Sequence, residues 1–106
     1  MSERLFSHEQ LDVYKLSLTV VRSIQAHESP RGMGWLKDQP CRASGSVVLN
    51  IAEAYGRTGN ARRNHLRIAY GSVAEVTAGL DVLGGQPELQ HMCRRIGAML
   101  ASLNRR

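Results

Sequence analysis

Five polar residues carry spacings that helices can convert into contacts: Ser46, Asn50 and Glu53 on one segment, Ser72 and Glu75 on the next. Residues three and four apart share a helix face, so two adjacent helices can bring these amide, hydroxyl and carboxylate groups across one narrow seam. One chemistry for such a set is a buried hydrogen-bond network that fixes helix register, since partly buried carboxylates need donors. The other is a functional polar site with perturbed acidity. Arg57 follows Glu53 by four residues and can pair with it along the helix, which favours the structural use.

Metal and nucleophile chemistry find less support. Glu88 and His91 make a single Glu-x-x-His motif, and no second copy follows Glu53 or Glu75. Di-iron bundles use two such motifs and two further Glu residues, so the ligand count falls short and no metal site is expected. His8, His27, His65 and His91 have no Ser/Asp or Cys partner at telling spacing, so no catalytic residue, no cofactor and no enzyme activity are expected. His65 is either a polar core residue or a neighbour of the arginines.

Cations are the other chemical signal. Arg57, Arg62, Arg63 and Arg67 cluster around the link Gly56-Arg57-Thr58-Gly59-Asn60, with Asn60 and Asn64 nearby, and Arg94 and Arg95 lie further along. These six arginines are the candidate nucleic-acid-binding residues. Phosphate binding there would be largely independent of sequence and strongly salt-dependent. Basic side chains in a first helical turn oppose the helix dipole, so Arg62 and Arg63 imply a partner: a neighbouring acidic residue or an external anion. A solvated basic face, or pairing with acidic groups of a neighbouring subunit, is the competing reading. Tyr55 and Tyr70 are the only evident aromatics for base stacking.

The elements that must position these groups are helices. Ser7 can cap the first, with Gln10 as capping-box partner and Phe6 stapled on Leu11. Leu11, Tyr14, Leu18, Val21 and Gln25 form its stripe, widened by Val13, Val20 and Ile24, and it should stop near His27. Pro40 suits a first turn but costs about 3 kcal/mol in a helix interior, so the second helix either begins near Asp38, the favoured reading, or is kinked just after Trp35 and Leu36, which need burial. It runs to Tyr55, where Gly56 can take a left-handed conformation. Asn60 can cap the third helix, which continues through Ile68, Val73, Val76 and Leu80 to Leu83 before the stop Gly84-Gly85-Gln86-Pro87. The fourth begins near Pro87 and repeats Leu89, Met92 or Cys93, Ile96, Met99 or Leu100, and Leu103.

Four helices with short links predict an all-α, antiparallel up-down-up-down four-helix bundle, one domain spanning 1–106. The 106 residues are 42% hydrophobic but only 5% aromatic, which suits aliphatic helix packing better than a sheet sandwich. The formal charge is +5, and Lys15 and Lys37 are the only lysines among 14 basic residues, so guanidinium groups dominate. They match phosphate and carboxylate geometry. Cys41 and Cys93 form no CxxC pair and read as core fillers. No apolar signal segment or membrane-length run is present, so a soluble cytoplasmic protein without membrane contact is expected.

Several stretches together resemble a known family: Leu11-Asp12-Val13-Tyr14-Lys15, Gln39 with Arg42-Ala43-Ser44 and Ser46, Asn50-Ile51-Ala52-Glu53, Gly56-Arg57, and Leu66 through Glu75. The chain is similar over most of its length to the small four-helix bundle family that includes proteins encoded by intervening sequences of bacterial 23S ribosomal RNA genes. The resemblance implies a helical bundle that tends to form a homopentamer, in a family mostly without assigned biochemical activity. Related members are accessory subunits of diversity-generating retroelements, basic scaffolds that bind a reverse transcriptase and nucleic acid. The chain departs from the usual pattern at Pro40, where an apolar residue is common, at Ala54, where Gly is common, and at Arg62 and His65, where aromatics are common. The function expected is a non-enzymatic, homo-oligomeric scaffold that binds RNA, DNA or a nucleoprotein partner through arginine-rich surface. A protein-interaction module without nucleic-acid binding is the alternative, and a metal-binding bundle enzyme a further one.

Overall fold

The computed structural model describes residues 3–28, 32 and 34–106. A 3-10 helix, Ser7–Gln10, leads into four α-helices: α1 (Asp12–Ala26), α2 (Gly34–Tyr55), α3 (Gly59–Val82) and α4 (Pro87–Asn104). Each helix packs on its sequence neighbours, α1 also meets α4, and the α2–α3 contact is the most extensive. Among the described residues, no helix is long and apolar enough to cross a membrane.

Apolar side chains at alternating three- and four-residue steps turn one stripe of each helix inward. The core is Val13, Val20 and Ile24 from α1, Ala43, Val47, Ile51 and Ala54 from α2, Leu66, Ala69, Val73, Val76 and Leu80 from α3, and Cys93, Ile96 and Leu100 from α4. On α1 the positions expected only to widen the stripe are therefore its centre, together with buried Ser17, whose hydroxyl donates to the Val13 carbonyl at 2.7 Å. Leu11 and Tyr14 pack partly against this core. Ile68 is exposed, and Leu66 and Ala69 take the interior places beside it.

Pro40 lies inside α2, not in its first turn, so the expected start near Asp38 moves back to Gly34. Two tertiary contacts offset the local cost of an interior proline. Its buried ring packs on Gly79 of α3, where the absence of a side chain makes room. Lys37 donates from Nζ to the carbonyls of Gln25 and His27, at 3.1 and 2.6 Å, which ties the first turns of α2 to the end of α1. Trp35, expected to need burial, is 67% exposed.

The other ends also differ in detail. Phe6 is exposed instead of stapled on Leu11, and its backbone N–H donates to Glu9 rather than Gln10 being the reciprocal partner. A 3-10 geometry shifts the residue that can reach back. At the α2–α3 link Gly56 keeps a negative φ, because its N–H still bonds the carbonyls of Ala52 and Glu53; the left-handed residue is Gly59, at φ 58°. Thr58, not Asn60, precedes α3 as its N-cap. Gly84 and Gly85 have φ of 104° and 92°, and the Gly85 N–H returns to the Leu80 carbonyl at 2.8 Å, closing α3. Buried Gln90 then bridges α3 and α4. Its Nε2 donates to the Thr77 carbonyl and to Asp81 Oδ1, at 3.2 and 2.6 Å, and its Oε1 accepts the Gln86 N–H.

Candidate nucleic-acid interface

Across the α2–α3 seam, contacts pair in opposite order along the two helices: Pro40 with Gly79, Ser46 with Ser72, Asn50 with His65. The Ser46 and Ser72 hydroxyl oxygens are 3.0 Å apart. Asn50 Nδ2 donates to the Ser46 carbonyl at 2.9 Å and to its hydroxyl oxygen at 3.1 Å, which leaves Asn50 Oδ1 facing His65 Nδ1 at 3.0 Å. A carbonyl oxygen can only accept, so His65 carries a proton on Nδ1. Glu53 and Glu75 stand outside this network, contrary to the sequence reading; both are exposed. Drawing an ionised carboxylate into a half-dry seam requires a buried cation, whereas amide, imidazole and hydroxyl groups satisfy one another at lower desolvation cost. His65, left open by the sequence, supplies the donor that Asn50 needs.

The arginines divide into engaged and unengaged groups. Arg57 pairs with Glu53 at 3.2 Å, with both side chains about half exposed, an arrangement that adds little stability. Arg62 shares its Nε–H between the carbonyls of Ala54 and Arg57, at 3.1 and 3.0 Å, and its guanidinium lies 4.5 Å from the centre of the Tyr55 ring. Among the described residues its partner is not an acidic side chain. It is the carbonyl end of α2, where orphan acceptors and the negative pole of the helix dipole coincide. Arg62 thus caps the hairpin through its Nε–H. Arg63 is exposed and donates to Asn60 Oδ1 at 3.3 Å, while Arg67, Arg94 and Arg95 are exposed on α3 and α4. Among the described residues, Arg57–Glu53 is the one salt bridge.

Five exposed arginines line clefts beside α3 and α4. Between α3 and α4 a cleft lined by Tyr70, Cys93, Arg94 and Gly97 adjoins, at Tyr70 and Ala101, a second cleft lined by Arg67 and Arg105. Leu66 and Asn104 join the second to a third, lined by Arg62, Arg63 and Arg106 near the start of α3. Among the described residues, no Asp or Glu lines any of the three. Arg95, one of the expected contact residues, lines none of them. Cys93 forms part of the floor; burial pushes its thiol up to about 11, against the opposing pull of Arg94, so it stays neutral. Half-exposed Tyr70 rests its ring edge against α4 at Gly97, where an added Cβ would meet Tyr70 Cε2 at 3.7 Å.

Glu88 and His91 are exposed on α4, and among the described residues no three His, Cys, Asp or Glu side chains are grouped to hold a metal ion.

A sequence profile for the family described as 23S rRNA-intervening sequence protein matches residues 9–102. The chain belongs to that family. No curated protein and no solved structure gives a match.

In this 23S rRNA-intervening sequence protein, the four departures from the family resemblance fall into the contacts just described. Pro40 seats on Gly79. Ala54 is fully buried and offers its carbonyl to Arg62, and His65 completes the Asn50 network. An arginine at 62 can reach the carbonyl end of α2 and still cover Tyr55, a bond that an aromatic hydrocarbon face could not make.

Proposed function

We propose that this chain is a non-enzymatic scaffold that assembles as a homo-oligomer and binds nucleic acid through exposed arginines of α3 and α4. The reading treats residues 1–106 as one domain with up-down-up-down antiparallel topology, in keeping with the opposed order of the α2–α3 contacts. It is supported by membership of a family described by its link to 23S rRNA. The observation that carries it is the set of exposed arginines lining three clefts along α3 and α4 that no described Asp or Glu lines, with Asp12 in a further cleft beside Arg106. An anionic backbone of regular charge spacing neutralises such a row better than isolated carboxylates do. A pentamer and a reverse transcriptase as protein partner follow from the resemblance, a cytoplasmic location from the reading of the sequence, and all three belong to the same proposal.

Titration of the purified protein with labelled RNA and DNA from low to moderate salt tests this. Binding should weaken steeply as salt rises, because each neutralised phosphate releases counterions. Absence of binding at low salt, or tighter binding to an acidic polypeptide, would remove the proposal in favour of a protein-interaction module. Mass measurement of the native assembly tests self-association; a monomer at all concentrations would exclude the scaffold.

A further inference from the structure

We infer that the groove between α3 and α4 is a track for single-stranded polynucleotide, with an unpaired base stacked on Tyr70. This rests on the nucleic-acid reading above and adds the form of the ligand and its path. The three clefts adjoin one another, sharing Tyr70 and Ala101 as walls in one case and Leu66 and Asn104 in the other, and a further cleft lined by Asp12 meets the last of them at Leu103 and Arg106. From Thr77 to Gly59 the track follows α3 for about 27 Å at the helical rise per residue. That length suits several nucleotides rather than one small anion. Arg94, Arg67, Arg105, Arg63 and Arg106 occur in turn along it and are exposed. A row of cations beside a groove is what a strand needs to neutralise successive phosphates.

The aromatic decides between single and double strands. Tyr55 is already covered by the Arg62 guanidinium, whereas Tyr70 is 50% exposed in the middle of the track, where two clefts meet. Its ring edge lies against α4 near Gly97, while half of the side chain stays open to solvent. A base already paired and stacked in a duplex cannot use that surface, whereas an unpaired base can. Phosphates with no base contact would make no use of an exposed ring between Arg94 and Arg67.

The test is fluorescence anisotropy with the intact protein and four probes: an oligouridylate, an oligothymidylate of the same length, an RNA duplex and polyglutamate. Tyr70→Leu keeps apolar packing without the π-face, and Tyr70→Phe keeps both. Circular dichroism and melting confirm that each variant is folded. Tyr70→Leu should weaken single-strand binding by about tenfold or more, leave duplex binding near its starting value, and be rescued by Tyr70→Phe. Arg67→Glu with Arg105→Glu should flatten the salt dependence of single-strand binding, and Arg95→Glu, outside the groove, should change it much less. Either single strand binding in this way supports the inference. Unchanged single-strand affinity in Tyr70→Leu, preference for the duplex, or equal losses from Arg95→Glu and Arg67→Glu would overturn the track while leaving general nucleic-acid binding intact. Failure of every nucleic-acid probe at low salt would overturn both.

Discussion

The ring of Pro40 rests on the bare backbone of Gly79: a Cβ at Gly79 would lie 3.1 Å from Pro40 Cβ and 3.3 and 3.4 Å from its Cδ and Cγ. Alanine ordinarily favours a helix over glycine by about 1 kcal/mol. Here the pyrrolidine ring is buried and rigid, so overpacking of about 1–3 kcal/mol should outweigh that gain. Gly79→Ala is expected to lower the urea midpoint and Gly79→Leu to lower it further. Pro40→Ala combined with Gly79→Ala should recover more than the separate effects add up to, as direct contact requires.

The network across the same seam gives a graded prediction. Asn50→Leu removes the acceptor of His65 Nδ1 and both donors to Ser46, and should cost about 1–3 kcal/mol. Ser72→Ala removes one bond and should cost about 0.5–1.5 kcal/mol. Glu75→Gln, on the exposed surface, should stay within about 0.5 kcal/mol of the parent. Equilibrium unfolding in urea ranks the three; an equal effect from Glu75→Gln would place that carboxylate in the seam after all.

Adjacent arginines should behave differently. Arg62→Gln loses the Nε–H shared by two carbonyls and the contact over Tyr55, and is expected to lower stability by about 1–3 kcal/mol. Arg63→Gln should leave stability within about 0.5 kcal/mol while weakening polyanion binding. Thermal melting and a binding titration on each variant separate the two roles. Reversing both charges together would confuse loss of a cap with loss of a ligand contact.

Cys93 provides a pH prediction. Burial raises its pKa from the ordinary 9.0 to about 11, so between those values the folded protein keeps a proton that the unfolded chain releases. Its contribution to stability is complete below about 9 and is lost as pH climbs through about 11. Cys93→Ala should be less stable at neutral pH because of the cavity, yet should lose less stability across that alkaline window, measured by urea unfolding at stepped pH. Near neutral pH a thiol reagent should modify partly exposed Cys41 well before buried Cys93.

Much of the architecture was legible from periodicity. The four helices, the stop at Gly84-Gly85, the start at Pro87 and the core positions Val73, Val76, Leu80, Ile96 and Leu100 all follow from apolar spacing and turn chemistry. Pro40 was misplaced because local propensity knows nothing of Gly79, and the match of a ring to a missing side chain is a contact between residues far apart in sequence. Gln90 and Lys37 were not singled out for a similar reason, since their partners lie on other helices or at their ends.

The candidate site divides along the same line. Residue type and spacing nominated Ser46, Asn50 and Ser72 as neighbours, and composition showed that guanidinium groups would dominate the surface. Only tertiary packing put Glu53 and Glu75 in solvent, brought His65 to Asn50, and gave Arg62 to the carbonyls of α2. It also set Arg105 and Arg106 beside the clefts that begin at Arg94. Periodicity specifies which side of a helix turns inward, because burial of apolar surface is a property of each segment. Which polar groups meet depends on how helices are docked and how far each group can be dried, and those are properties of the folded whole.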